Sequence, residues 1–138
     1  MPDLVPARTL MDAALRDMRA LTGMLNEDVF ANEVFGLHVQ QAVEKSLKAW
    51  IAGLGELYLY THDLSILLRQ LEELGCEIDS YKYFIPFSSF ATQVRYEGAD
   101  DDAAIERKSA LKQVQLLYES VDAILCQKEE AARQETES

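Results

Sequence analysis

Apolar residues recur at intervals of three and four along most of the chain, which is the spacing of one face of an α-helix. In the stretch from about Phe30 to Leu54 this face is formed by Phe35, Val39, Ala42, Val43, Leu47, Trp50 and Leu54. A shorter stretch follows Asp63, a suitable helix N-cap, and carries Leu64, Leu67, Leu68, Leu71 and Leu74 before Gly75. No segment alternates polar and apolar residues over the length of a strand, so the pattern predicts an all-α fold.

Three further helical stretches follow from the same spacing. The first runs from about Pro6 to Leu25, with Met11, Leu15, Met18, Thr22 and Leu25 on one face. The second, from Ile78 to Tyr96, is aromatic, and Pro86 removes a backbone donor there, which predicts a kink or a restart. The last opens behind the acidic run 100–102 and carries Ala110, Leu111, Val114, Leu117, Tyr118, Val121, Ile124 and Leu125.

Helices of this kind bury their apolar faces only against one another. We therefore expect an antiparallel up-and-down bundle of four or five helices. A chain of 138 residues fits one such domain, which we place at residues 1–126. Residues 127–138 are all charged, polar or alanine, and we expect them to form a frayed or disordered tail.

The charge of the chain is strongly negative. Lysine and arginine number 13 against 24 acidic residues, which gives a net charge of −11. A general nucleic-acid binder needs a basic surface, so the charge does not support RNA or nucleotide binding. The sequence shows neither a secretory signal pattern nor an apolar run near the roughly 18 residues that cross a bilayer. A cytoplasmic protein that does not contact membranes is the expectation.

Familiar catalytic and metal-binding patterns are missing from the sequence. A di-metal helical bundle needs Glu-x-x-His, but Phe35 precedes His38 at that spacing and Leu59 precedes His62. There is no phosphate-binding glycine loop and no glycine-flanked nucleophilic serine. The two cysteines, at positions 76 and 126, have no metal-ligand spacing, and we expect reduced thiols rather than one disulfide. No metal or cofactor is expected.

Three motifs nevertheless resemble those of a known family. The segment FGLHVQQAVEKSLKAWI, residues 35–51, resembles the signature helix of the HEPN family, the nucleotide-binding domains shared by prokaryotes and higher eukaryotes. The matching positions are Phe35, Gln40-Gln41-Ala42, Glu44-Lys45 and Leu47-Lys48-Ala49. Two further family motifs are matched in the same order, by His62-Asp63-Leu64 with the leucines up to Gly75, and by Arg95-Tyr96. The resemblance extends over roughly residues 8 to 126.

The resemblance implies a homodimer that works with a minimal nucleotidyltransferase in a toxin–antitoxin or regulatory module, and it implies nucleotide binding. Many HEPN proteins are metal-independent ribonucleases that use arginine, four to six residues, then histidine. In that chemistry the histidine moves a proton and the arginine balances phosphate charge while the RNA 2′-hydroxyl attacks.

This chain departs from the ribonuclease pattern. The histidine expected after Arg95 would fall at positions 100–102, which are all aspartate. No arginine lies five to seven residues before His38 or His62. Aspartates at those positions would repel RNA phosphate. We therefore expect a non-catalytic or weakly catalytic HEPN subunit, with two alternatives: a ribonuclease toxin with an unconventional active site, or a helical protein-interaction adaptor.

Arg95 and Tyr96 are the first candidates for binding a nucleotide or a partner, because the resemblance places functional residues there. The alternative is that Arg95 pairs on the surface with Glu97 or with the aspartate run, a contact worth less than about 1 kcal/mol. The aromatic residues from Tyr81 to Tyr96 are expected in the core or at a subunit interface rather than stacked on bases.

Lys48 and His62 are the other two candidates. Lys48 would contact a phosphate, or else pack its stem and pair with acids such as Glu44. His62 would contribute to a site, or else cap the third helix beside Asp63. His38 is expected to be partly buried and hydrogen-bonded.

Overall fold

Helices make up all the regular secondary structure in residues 3–92 and 105–137, which the computed structural model describes. The elements are α1 (Val5–Gly23), α2 (Asn32–Gly53), α3 (Leu64–Glu73), a 3₁₀ helix (Asp79–Ser88), α4 (Ser89–Thr92) and α5 (Arg107–Glu137). The predicted all-α helical bundle is confirmed. None of the helices in these ranges is long and apolar enough to span a membrane.

α2 is the central helix of the bundle. It packs against α1 on one side and α5 on another, and it also contacts α3, the 3₁₀ helix and α4. Because neighbours surround it, polar residues of α2 are buried together with its apolar stripe, among them Gln40, Ser46 and Lys48. Polar groups buried in this way need hydrogen-bond partners inside the protein.

α3 begins and ends as the sequence predicts. The Asp63 side chain accepts a hydrogen bond from the Ser65 amide at 2.9 Å and is therefore the N-cap. The Leu64 amide donates to Ser88 Oγ at 2.9 Å, so the 3₁₀ helix supplies a second cap. Gly75, with φ of +92°, follows the last turn in the left-handed conformation that glycine adopts without strain.

The buried face of α1 differs from the predicted one. Thr22 is exposed and Leu15 only half-buried, and the buried residues are Ala7, Met11, Ala14, Asp17 and Leu21. The face is turned by about one residue because Asp17 points inward, where His38 and Lys45 of α2 bind its carboxylate. Asp17 thus occupies a buried position in α1 because its partners lie on α2, although the apolar pattern alone assigns no polar residue to the core.

Most of the described part of the aromatic segment packs into the core, as expected, whereas Tyr83 is exposed and Tyr96 lies outside the described residues. Phe84 and Phe87 are buried, and Tyr81 packs against Trp50 of α2 edge to face with ring centroids 5.7 Å apart. The segment is a 3₁₀ helix through Pro86, and the α-helical conformation resumes only at Ser89. The kink or restart predicted at Pro86 is not found at the proline itself: the 3₁₀ helix continues across it to Ser88, and the change to an α-helix follows three residues later.

The charged segment from residue 127 is helical through Glu137, whereas a frayed or disordered tail was expected. Arg8 of α1 holds this part of α5, because its guanidinium binds Asp122 at 2.5 Å and Glu129 at 2.9 Å. The hydrogen bond from Arg8 lowers the pKa of the Glu129 carboxyl.

The start predicted for α5 at residues 100–102 lies outside the described residues. Both cysteines are free thiols, as expected.

Candidate functional site

Three polar side chains of the motif segment lie on one face of α2 and meet at Glu44. Gln40, Glu44 and Lys48 are four residues apart, so they stack along the helix. Glu44 accepts hydrogen bonds from Lys48 Nζ and from Gln40 Nε2, each at 2.7 Å. Its carboxylate also lies 3.0 Å from His62 Nδ1, which comes from the loop before α3. We call these four residues the Glu44 cluster.

The loop residue His62 is fixed to α2 through its backbone as well as its side chain. Gln40 Nε2 donates a second hydrogen bond to the His62 carbonyl at 3.0 Å. Helix capping, the alternative expected for His62, is done by Asp63. The His62 side chain stays 66% exposed, so the outer edge of the imidazole faces solvent.

Lys48 is buried, and its charge is compensated inside the protein. Its ammonium binds Glu44 and lies 5.2 Å from the centroid of the Tyr58 ring, an arrangement that attracts the cation to the ring face. Pairing with Glu44 was the alternative to a phosphate contact. The ammonium is therefore already held between a carboxylate and an aromatic ring.

The pKa of Glu44 reflects its position at the centre of the cluster. Burial raises the pKa of this carboxyl, but the hydrogen bonds from Lys48, Gln40 and His62 together outweigh burial, and the net pKa lies below its usual 4.5. Glu44 is consequently ionised at neutral pH. The negative charge of Glu44 therefore lies between Lys48 and His62.

The contribution of Glu44 to stability is expected to depend on pH. Because its pKa is lower in the folded than in the unfolded chain, the stabilisation is fully present above about pH 4.5 and is lost as the pH falls through the lower, folded value. In urea unfolding from neutral to acidic pH, the stability gap between the wild type and Glu44→Gln should narrow at the acidic end. Glu72→Gln, which changes an exposed carboxylate of α3, is the control and should show a flat difference. If the difference in unfolding free energy between the wild type and Glu44→Gln stays constant with pH, the lowered pKa of Glu44 is contradicted.

Another side of α2 carries a second group of the same kind, formed with α1. Asp17 of α1 accepts a hydrogen bond from Lys45 Nζ at 2.7 Å and lies 3.0 Å from His38 Nδ1. His38 is partly buried and hydrogen-bonded, as expected. Both histidines of the chain therefore place Nδ1 against a carboxylate that also binds a lysine.

Of the four candidate residues, the structure brings two together. Lys48 and His62 meet through Glu44, whereas Arg95 and Tyr96 lie outside the described residues. The sequence prediction missed Gln40 and Tyr58. The spacing of Gln40, four residues before Glu44, is a signal for it, but nothing in the sequence indicates that the Tyr58 ring covers Lys48.

The donor set does not suit a metal ion. In the part of the chain that the structure describes, no three histidine, cysteine or acidic side chains lie close enough to hold one. The Glu44 carboxylate is bound by an ammonium, an amide and an imidazole, which are ligands for an anion. The cluster therefore binds the protein's own Glu44 carboxylate with groups that could also bind the anion of a ligand.

Comparison with protein families identifies the chain. A family model described as the HEPN domain matches residues 7–125, which include the whole Glu44 cluster. Comparisons with curated proteins and with solved structures gave no match. The matched range takes in α2 and α3, where two of the three motifs lie, and most of the 138 residues. The chain therefore belongs to the HEPN domain family.

Proposed function

We propose that this HEPN protein is a non-catalytic or weakly catalytic subunit that binds a minimal nucleotidyltransferase in a toxin–antitoxin or regulatory module. HEPN domains often dimerise, and in this proposal the chain is a homodimer. Lys48, His62, Arg95 and Tyr96 are proposed to take part in binding the partner or its nucleotide, His62 directly and the buried Lys48 through Glu44, which it holds.

The observation that supports this function best is the position of Glu44. RNA cleavage by an imidazole needs a nearby cation to balance the phosphate charge. Beside His62 the structure has the Glu44 carboxylate, and the neighbouring ammonium of Lys48 is bound to that same carboxylate. The Lys48 ammonium is therefore engaged by a carboxylate rather than free to balance an RNA phosphate at His62.

The sequence around the third motif supports the same proposal. The three residues where an imidazole would complete the ribonuclease pattern after Arg95 are aspartates. The net charge of −11 further disfavours RNA as the ligand. A protein partner with a basic surface is favoured by both features.

Co-expression tests the proposal directly. The chain is produced together with a tagged nucleotidyltransferase encoded beside its gene, and the captured material is separated by size-exclusion chromatography. We expect both proteins in one peak at a fixed ratio. A tagged nucleotidyltransferase from an unrelated pair is the control and should not retain the chain. Separate elution of the two proteins, or a gene neighbourhood without any nucleotidyltransferase, would count against the proposal.

A further inference from the structure

The loop between α2 and α3 presents large apolar side chains to solvent. Leu57 is 92% exposed and Tyr60 is 97% exposed, and about half of Leu59 between them is accessible. Single exposed apolar residues are common on protein surfaces and need no explanation. Three within four consecutive residues form a patch, and patches of this kind mark interaction sites.

The loop is held in one conformation although its side chains point outward. Gln70 of α3 donates from Nε2 to the Leu57 carbonyl at 2.8 Å, and its Oε1 accepts from the Leu59 amide at 3.1 Å. The Gln40 amide fixes the end of the loop at the His62 carbonyl. Because these contacts already order the backbone, a partner that binds the loop loses little conformational entropy.

The surroundings of the patch restrict what can bind there. Residues 55–79 contain six acidic residues against one arginine, so this segment carries a net charge of −5 with His62 neutral. A second copy of the chain docking through the same patch would bring two such segments together, and like charges facing each other cost free energy. RNA is disfavoured for the same reason. A protein with an apolar pocket surrounded by lysine or arginine complements both the apolar side chains and the charge.

We infer that Leu57 and Tyr60 are the anchors of a protein-docking surface, and that its occupant is the nucleotidyltransferase of the proposed function, on which this inference rests. Tyrosine is enriched among the few residues that dominate binding energies, and Leu57 supplies aliphatic area next to it. The surface lies on the same loop as His62. Docking here would place the partner beside the Glu44 cluster.

The test measures the affinity of the purified chain for the purified nucleotidyltransferase by titration calorimetry. Leu57→Asp and Tyr60→Asp are each expected to weaken binding by about 30-fold or more, the size typical of an interface anchor. Val29→Asp is the matched control, because Val29 is 66% exposed in the α1–α2 loop and the variant adds the same charge. It should change the dissociation constant by less than about twofold. Leu57→Ala, which adds no charge, should still weaken binding.

Each outcome decides a different statement. Wild type that does not bind the nucleotidyltransferase removes the proposed function and this surface together. Wild type that binds, with Leu57→Asp and Tyr60→Asp binding equally well, overturns the surface and leaves the proposed function standing. Sedimentation of the chain alone adds a third arm, because a change of oligomeric state in these two variants, but not in Val29→Asp, would assign the patch to a second copy and overturn the inference. Loss of binding with unchanged sedimentation and circular dichroism is the result we expect.

Discussion

Replacing Arg107 with methionine is expected to lower the free energy of unfolding by about 3 kcal/mol or more. Arg107 is 3% exposed at the start of α5. Its guanidinium donates to the carbonyls of Met24 and Phe30 at 2.6 Å and to Asn32 Oδ1 at 3.0 Å, and it lies 5.0 Å from the Phe35 ring centroid. Methionine fills a similar volume but leaves these part-buried acceptors without their donor.

Urea denaturation followed by circular dichroism measures the effect of the Arg107 substitution. Lys108→Met is the matched control, because Lys108 is the next residue on the same helix and is exposed. A surface change of this kind alters stability by less than about 0.5 kcal/mol. A loss from Arg107→Met no larger than that of the control would contradict the role of Arg107 as the tie between α5 and the α1–α2 loop.

Glu44→Ala is expected to destabilise the protein at neutral pH by about 2 to 3 kcal/mol. The substitution leaves the buried ammonium of Lys48 and one hydrogen of the Gln40 amide without their acceptor. It also releases the His62 side chain, so the loop before α3 loses one of its contacts to α2 and keeps the hydrogen bonds from Gln40 and to Gln70. Most of the expected loss comes from Lys48, because an uncompensated buried charge costs more than a missing neutral hydrogen bond.

A double variant separates the charge from the packing at this site. Glu44→Leu combined with Lys48→Met removes both charges and keeps the apolar volume, and such replacements of buried ion pairs are often neutral. We expect the double variant to unfold within about 1 kcal/mol of the wild type in urea. If the double variant is as unstable as Glu44→Ala, the unpaired charge of Lys48 is not the cause of the destabilisation in Glu44→Ala.

The helices and the bundle were predictable because they depend on local signals. The apolar stripe of α2 and the Asp63 cap of α3 are properties of short stretches, and both are found in the structure. The face of α1 was not predictable, because Asp17 reads as a surface residue until His38 and Lys45 are known to lie opposite it. The burial of Asp17 depends on partners from another helix, which a local pattern does not contain.

The candidate site shows the same limit. The pair Glu44–Lys48 follows from a spacing of four residues in one helix, and it was anticipated as the alternative for Lys48. His62 is 18 residues from Glu44, so their contact depends on how the loop after α2 returns. Gln70 fixes that loop from a third element, and no local pattern marks a glutamine for this role.

Incubation of the purified chain with end-labelled single-stranded RNA, without added metal and across neutral pH, tests most directly whether this HEPN protein lacks ribonuclease activity. We expect the RNA to remain intact with the wild type and equally with Arg95→Ala and His62→Ala. Cleavage by the wild type that either substitution abolishes would contradict the proposed function and favour an unconventional ribonuclease site.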